Sequence, residues 1–600
     1  MALKRVRRRV MKRIVVFRLP EGQPFYEVLC LWEGNEQPTS NCEKEGPMKR
    51  LALVLGIVLA TGVPFMGMDG RRFDQKLPKD QQIVHVLNRL TFGPRPGEVD
   101  QVRRVGIEKW IDQQLHPERI PENPRLEVKL MLLDTLQLAT WELMENYQPK
   151  RPTRTSSNVL TPQQRQKLQR GTSEEKQEIL DSLDDDARIQ VAASLPLEAL
   201  ADLPELRREA MIARQPAQFV NSELIASKLF RAIYSNRQLE EVLVDFWVNH
   251  FNVYNGKGPG RMLLTSYERD AIRPFVLGKF KDMLLATARH PAMLYYLDNW
   301  QSQAPREDLP AAGTARRPGL NENYGRELME LHTLGVDGGY TQDDVIAVAR
   351  AFTGWTIYEP NRVAEFHFNP AMHDRKEKVV LGHKIAAGGG ETDALQVLDI
   401  LAHHSSTARF ISKKLAQRFV SDDPPKSLVD RMAATFTKTD GDLRKVLETL
   451  FMSREFLSGA AFQSKLKSPL EMVVSAVRAV DANVNDTFSL GQRIAELGQP
   501  LYGKAEPTGY SNTGEGWANT AGLLARINFS SALMEGRVPG VSVSSARYNS
   551  KASNKIALEL LSSPPSEQVE AAITTGLQGK TSTPAIIASL VIASPDFQRR

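Results

Sequence analysis

Cysteine is almost missing from this 600-residue chain, which contains only two. Both of them, Cys30 and Cys42, lie within the first 50 positions. The rest of the chain therefore has no thiol that could form a disulfide, attack a substrate or hold a zinc ion or an iron–sulfur cluster. Its stability must come from an apolar core, and a chain of this length is ample for two or more lobes.

An excess of charge is missing as well once the first 50 residues are set aside. They contain 11 of the 77 Lys and Arg and 6 of the 71 Asp and Glu, which leaves 66 basic against 65 acidic side chains. A nearly neutral protein has no global field that attracts nucleic acid or anionic lipid. We therefore expect neither nucleic acid nor a lipid surface as a partner.

Long apolar runs are also rare, and the one that stands out follows Met48. Two basic residues precede a run of 13 uncharged, mainly apolar residues, Leu51 to Val63, which is typical of a secretory signal peptide. The run is short for a bilayer span, and a core helix or a membrane anchor is the alternative. We expect a signal peptide at 48–66, a spurious upstream segment at 1–47, and a mature chain exported to the periplasm or beyond without stable membrane insertion.

Strand patterns are scarce, whereas helical periodicity recurs along most of the chain. We expect a mostly α, multi-helix globular protein in which AEFHFN and KVVLGHKI form a small β-ribbon near residues 363–385. We expect four segments after the signal peptide: an N-terminal helical region 80–147, a charged linker or insertion 148–190, a central helical domain 191–468 and a C-terminal helical lobe 469–600. The polar composition of residues 148–190 predicts the linker or insertion.

The strongest candidate site lies in the string GLNENYGRELMELHTLGVDGGYTQDDV. On a helix, Glu327 and Glu330 share one face beside Arg326, where two carboxylates can bind a hard cation or act as acid and base. His332 lies about 180° away on a regular helix, and it joins them only if the helix ends nearby, as the following glycine permits. A solvated charged face is the alternative.

Eight of the ten histidines lie between His250 and His404. His250 follows a strongly apolar stretch, which fits either a catalytic imidazole or a core histidine bonded to a carbonyl. The adjacent His373 and Asp374 suit metal binding, but also an ordinary turn. The sequence therefore predicts a divalent metal held by Glu327, Glu330, His332, His373 and Asp374, and catalytic roles for Glu327, Glu330, Arg326 and His250.

Several familiar catalytic and binding motifs are absent. The chain has no His-x-x-x-His pair, no Gly-x-Ser-x-Gly elbow and no phosphate-binding Gly-x-x-x-x-Gly-Lys-Ser/Thr loop. The basic face of TARFISKKLAQRF can hold an anion, although most such faces are only solvated. Trp300, Trp355 and Trp517 offer stacking faces for a polysaccharide.

A resemblance to a known family depends on eight strings: HVLNRLTFGPRPGEVDQV, FWVNHFNV, HPAMLYYLDN, NENYGRELMELHTLGVDGGYTQDDVIAVARAFTGW, FNPAMHD, LAHHSSTARFISKKLAQRFVSDDPP, GQPLYG and SPDFQRR. Together they resemble the bacterial family known as domain of unknown function 1800, over most of the chain from about residue 80. The resemblance implies an exported or periplasmic protein and brings no established reaction, cofactor or catalytic residue. It also implies a neighbour from a second exported family, domain of unknown function 1501, which is similar to sulfatases.

Three functions fit these observations. The first is a metal-assisted extracytoplasmic enzyme, with hydrolysis expected before redox chemistry because a metal can activate water for a carboxylate base. The second is a non-catalytic partner or assembly protein for a co-exported sulfatase-like protein. The third is a polysaccharide-binding module. An enzyme predicts His250, His332 and the two glutamates in one pocket, whereas a scaffold predicts each of them in its own ion pair or cap.

Overall fold

The structure is a computed structural model in which most of the chain beyond residue 72 is described. The described residues are 73–147, 160–200, 203–305, 319–544, 547–548, 551–577 and 583–600. The expected upstream segment and signal peptide lie outside them. Contacts group residues 54–600 into one compact unit, so the division into a central domain and a C-terminal lobe at residue 468 stays a prediction.

Helices dominate the described residues, as predicted. Many begin at a proline in the first turn, where the missing N–H costs no hydrogen bond, or at a side chain that caps the free backbone N–H groups. In the first half they are α1 Lys79–Leu90, α2 Glu98–Val105, α3 Ile107–Leu115, α4 Pro124–Met131, α5 Thr140–Asn146, α6 Pro162–Arg170, α7 Ser173–Asp181, α8 Asp185–Ser194, α9 Pro204–Arg214, α10 Pro216–Tyr234, α11 Gln238–His250, α12 Gly260–Ser266, α13 Phe280–Arg289 and α14 Pro291–Tyr296.

The second half continues in the same style. Two single stretches of π-helix, Tyr267–Ile272 and Leu328–Thr333, extend α12 and α15. The α-helices here are α15 Glu322–Glu327, α16 Gln342–Ala351, α17 Thr392–His403, α18 Ser405–Phe419, α19 Lys426–Lys438, α20 Leu443–Phe451, α21 Pro469–Ala479, α22 Phe488–Glu496, α23 Thr520–Met534, α24 Ser553–Leu561, α25 Glu567–Leu577, α26 Pro584–Ala593 and α27 Pro595–Gln598.

The described strands form three antiparallel two-stranded ribbons rather than one. They are β1 Trp355–Tyr358 with β2 Glu365–Phe368, β3 Lys378–Val380 with β4 His383–Ile385, and β5 Asn483–Val484 with β6 Val541–Ser542. The predicted pairing of AEFHFN with KVVLGHKI is therefore wrong. KVVLGHKI folds back on itself, and AEFHFN pairs with the strand that follows α16.

The segment expected to be a linker or insertion is a small helical unit in its described part. Residues 148–159 lie outside the description, but α6, α7 and α8 follow them and pack with α9. Their apolar side chains form a separate core cluster that includes Leu168, Leu180 and Val191. Apolar residues that are sparse in the sequence still fall on the inner faces of these short helices, and the assignment of the segment as a linker or an insertion stays a prediction.

The main core surrounds α11 and the helices that cross it. Its largest fully buried side chains include Trp247, Tyr267, Phe280, Tyr324 and Trp355. Among the described residues no helix has both the length and the apolar composition that a bilayer crossing requires.

Candidate functional site

The two predicted carboxylates lie together at the surface. Glu327 ends α15 and Glu330 lies in the π-helix that continues it, and both are partly exposed. Burial, and then the charge of Glu330, raises the pKa of Glu327. The hydroxyl of Tyr340 donates to Glu330 Oε2 over 3.2 Å. The guanidinium of Arg326 donates a hydrogen bond to Gln342 over 2.6 Å and not to Glu327 or Glu330.

His250 and His332 meet inside the protein, away from these carboxylates. The ring of His332 is 3% exposed and lies 5.2 Å from the ring of Phe251. His250 Nε2 lies 3.1 Å from the carbonyl oxygen of His332, and the two ring centroids are 6.3 Å apart. His332 therefore points into the protein, away from the two carboxylates, which is also where a regular helix would place it. His250 contacts a carbonyl, as the core interpretation predicts.

Both histidines are neutral core residues at ordinary pH. Burial, and then the charge of Lys414, lowers the pKa of His332 to about 3 and that of His250 well below its usual range. Burial also lowers the pKa of Lys414 to about 8. His250 Nδ1 and His332 Nε2 have no hydrogen-bond partner in the structure.

The neighbouring residues His373 and Asp374 contact different partners. His373 Nε2 lies 3.2 Å from Oδ2 of Asp393, which also accepts a 2.7 Å bond from Lys378. Asp374 instead binds Arg350 through both oxygens, at 2.8 and 3.1 Å. These contacts join residues 20 and 24 positions apart, and the local contact of the pair is the 2.8 Å bond from the N–H of Lys376 to Asp374 Oδ1.

The five predicted metal ligands thus occupy three separate places. Over the described part of the chain, no three His, Asp or Glu side chains are placed to share one metal ion. His250 and His332 contact each other, but they share no metal site with His373, because the histidine-rich region is distributed over helices α11 to α18 and two ribbons. The predicted metal site is not assembled from these residues.

A cleft lies elsewhere, at the end of α11. Its inner space is about 70 Å³, and with its open mouth the cleft measures about 740 Å³. One wall is the Gly/Pro-rich connection between α22 and α23, residues 498–519, which we call the cleft loop. The opposite wall consists of α11 itself, and the segment before α21 forms the floor.

Two asparagines at the end of α11 fix the cleft loop. Asn249 pairs with the backbone of Tyr510 in both directions: its Oδ1 accepts at 2.7 Å and its Nδ2 donates at 2.9 Å. Asn252 donates to the carbonyls of Lys504 and Glu506 at 3.0 and 2.9 Å. At Gly509, where φ is +70°, a Cβ would overlap the carbonyl of Asn249, so only glycine fits this approach.

Aromatic rings and amides line the loop side of the cleft. The rings of Tyr510 and Trp517 lie 5.8 Å apart, tilted by 38°, and both are partly exposed. Among the predicted stacking residues, Trp517 alone lines this cleft, because Trp355 is fully buried and Trp300 stacks on Tyr295 at 5.2 Å.

The floor of the cleft is cationic. Arg418, Lys465 and Arg600 line it, and we call these three side chains the cation floor. Glu471 lies 2.5 Å from Arg418 and 3.0 Å from Arg600. The capping box at the start of α21 holds this carboxylate in place, since its other oxygen accepts the N–H of Ser468 at 2.9 Å.

The sequence offered signals for this cleft that did not identify it. Asn249 and Asn252 alternate with apolar residues in FWVNHFN, and a long connection rich in Gly, Pro and aromatics follows much later. The basic face predicted in α18 is also only partly relevant. Arg409 pairs with Asp430 outside the cleft, while Arg418 on the same helix belongs to the floor.

Comparison with known proteins gives one family and no function. The model of the family described as "Protein of unknown function (DUF1800)" matches residues 85–599. No curated protein and no solved structure matches the chain.

Proposed function

Because the chain belongs to the DUF1800 family, whose description names no activity, we propose a function from the cleft itself. The protein binds a segment of polysaccharide there, outside the cytoplasm. The observation that carries the proposal is the partly exposed Tyr510–Trp517 pair on the wall of an open cleft.

The chemistry of a sugar ring suits this cleft. Its apolar face packs on aromatic rings, and its hydroxyls both donate and accept hydrogen bonds. Amides do the same, and the partly exposed Asn512 lines the cleft. The other three lining amides, those of Asn249, Asn252 and Gln499, already bond to the protein backbone. The cleft loop is held to α11 by side-chain bonds, so the aromatic pair is in place before a ligand arrives, which lowers the entropy lost on binding.

Export is the second part of the proposal and is supported by the sequence alone. The apolar run after Met48 has the length of a signal peptide. A polysaccharide ligand is available to a protein in the periplasm or outside the cell. A co-exported sulfatase-like partner stays a prediction from the family resemblance.

Binding of oligosaccharides to the full chain tests the proposal. We expect Trp517→Ala to weaken binding about tenfold, because it removes one stacking face. Trp141→Ala is the matched control, since Trp141 is 45% exposed on α5 and does not line the cleft. Titration calorimetry against neutral and acidic oligosaccharides measures both. Failure of every oligosaccharide to bind, or equal affinity for Trp517→Ala and the unmodified chain, would contradict the proposal.

The metal-assisted reaction remains a separate prediction with a weaker basis. Only Glu327 and Glu330 are placed as neighbouring oxygen ligands, at the surface and without the predicted histidines. Elemental analysis of the purified chain and of Glu327→Ala examines it directly. A stoichiometric metal that the folded variant loses would support it, and a metal content unchanged by the substitution would not.

A further inference from the structure

An excess of buried positive charge lies on and behind the floor of the cleft. Six basic side chains from five parts of the chain converge there, each no more than 7% exposed. We call them the cation cluster: Arg89, Arg418, Lys465, Lys467, Arg526 and Arg600. Backbone pairing brings two of these parts together, since the N–H of Arg600 donates to the carbonyl of Lys465 at 2.8 Å and the reverse bond is 3.2 Å.

Two side-chain carboxylates face these six cations among the described contacts. Glu471 serves Arg418 and Arg600 through the same oxygen, Oε1. Asp422 pairs with Lys465. Burial of charge is unfavourable unless each charge is paired, so this cluster is short of negative charge.

Three members of the cluster lie behind the floor and contact the protein around them. Arg89 donates to the carbonyl of Val420 at 3.1 Å through Nη2, while its Nε and Nη1 are buried without a hydrogen bond. Arg526 donates to the carbonyl of Lys467 at 2.8 Å and to Gln598 at 2.6 Å. Lys467 packs over the ring of Phe597 at 4.0 Å.

The three residues of the cation floor line the cleft, and some of their donors have no hydrogen-bond partner. Nε and Nη1 of Arg600 are buried without a hydrogen bond, and Nη1 of Arg418 has only its charge contact with Glu471. The other charged pair of the cleft wall, Lys228 and Asp245, is balanced at 3.2 Å. Unmet positive charge is therefore present on the floor as well as at Arg89 behind it.

The titration of the floor agrees with this geometry. Burial, opposed by Asp422, lowers the pKa of Lys465 to about 8. Burial also lowers the pKa of Lys467, behind it, to about 7. An anion in the cleft would favour the charged forms of both.

We propose that the cation floor binds an anionic group of the saccharide, so that the ligand class is an acidic polysaccharide. This inference rests on the proposed function and adds to it the charge of the ligand. A guanidinium and an ammonium on one wall match the oxygens of a carboxylate, a sulfate ester or a phosphate ester. The aromatic pair on the facing loop then holds the ring that carries this group.

The test compares acidic with neutral oligosaccharides on the full chain. The probes are an oligogalacturonate, a sulfated oligosaccharide and a neutral oligoglucoside, with inorganic sulfate and phosphate as free anions. Arg600→Gln removes a floor charge. Arg599→Gln is the matched control, because the side chain of Arg599 is exposed and lies outside the cleft. We expect Arg600→Gln to weaken acidic ligands about tenfold and to leave the neutral one unchanged, with no effect from Arg599→Gln.

Salt dependence of the unmodified chain gives a second measurement that does not depend on the folding of a variant. Affinity for acidic ligands should fall between low and high sodium chloride, while affinity for the neutral ligand should not. Equal affinity for acidic and neutral ligands, with no salt dependence, would overturn the inference and leave the proposed function standing. Binding of sulfate or phosphate, lost in Arg600→Gln, without binding of any saccharide would support the floor and overturn the proposed function.

Discussion

Asn249 provides the sharpest test of how the cleft is held together. Its amide satisfies both the N–H and the carbonyl of Tyr510, so Asn249→Ala removes two hydrogen bonds at once. At about 1 to 1.5 kcal/mol each, the loss is about 2 to 3 kcal/mol. We expect this to appear as easier opening of the cleft loop, because the two bonds join the loop to α11.

Hydrogen exchange of the Tyr510 amide measures that opening. A loss of this size accelerates exchange by about 30- to 150-fold if the amide exchanges through local opening. Asn323→Ala is the control, since Asn323 is exposed on α15 and lies outside the cleft. An exchange rate within about threefold of the unmodified chain would refute the reasoning, because it would mean that other contacts hold the loop. Exchange that rises equally in both variants would refute it as well.

Two further predictions concern acid stability and backbone strain. The pKa of His332 in the folded chain is about 3, below its ordinary value of 6.5, so the unfolded chain binds the extra proton. The free energy of unfolding should therefore fall as the pH drops from about 6.5 toward 3. Denaturant titrations should show a smaller fall for His332→Leu than for the unmodified chain. The same pH dependence in both proteins would contradict this prediction. Gly509→Ala adds a clash with Asn249 to the strain of a positive φ, whereas Gly498→Ala, with φ +100° and no atom within 4 Å, adds strain alone. We expect a lower melting temperature and a lower ligand affinity in Gly509→Ala than in Gly498→Ala. An equal effect of the two substitutions would contradict the contact argument.

The features that the sequence predicted well are those whose partners lie within a few residues. The spacing of Thr341 and Asp344 predicts a capping box, and the two residues form one at the start of α16. His290 caps α14 by accepting the N–H of Ala292 at 3.1 Å. In both cases one helical turn contains the whole interaction, so residue types and spacing are sufficient. The family resemblance is confirmed as well, because it uses many such short strings together.

The features that were missed depend on contacts across long stretches of chain. The strand β2 pairs with β1 rather than with KVVLGHKI, and nothing in its alternation distinguishes the two partners. The helical periodicity of residues 99–115 predicts one continuous helix, but Gly106, at φ +92°, divides the segment into α2 and α3. The cleft joins Asn249 to Tyr510, 261 positions later, and helical periodicity carries no information about such a pairing.

The same separation of 261 positions has a consequence for the synthesis of the protein. At about 5 to 20 residues per second, a ribosome needs roughly 13 to 50 s to reach Tyr510 after it has made Asn249. Helices, by contrast, form in microseconds. During that interval the end of α11 carries polar groups and apolar neighbours for which the covering loop does not yet exist. The end of α11 in the nascent chain therefore stays uncovered for tens of seconds, and a chaperone that binds unfolded chains would stay bound longest at this helix.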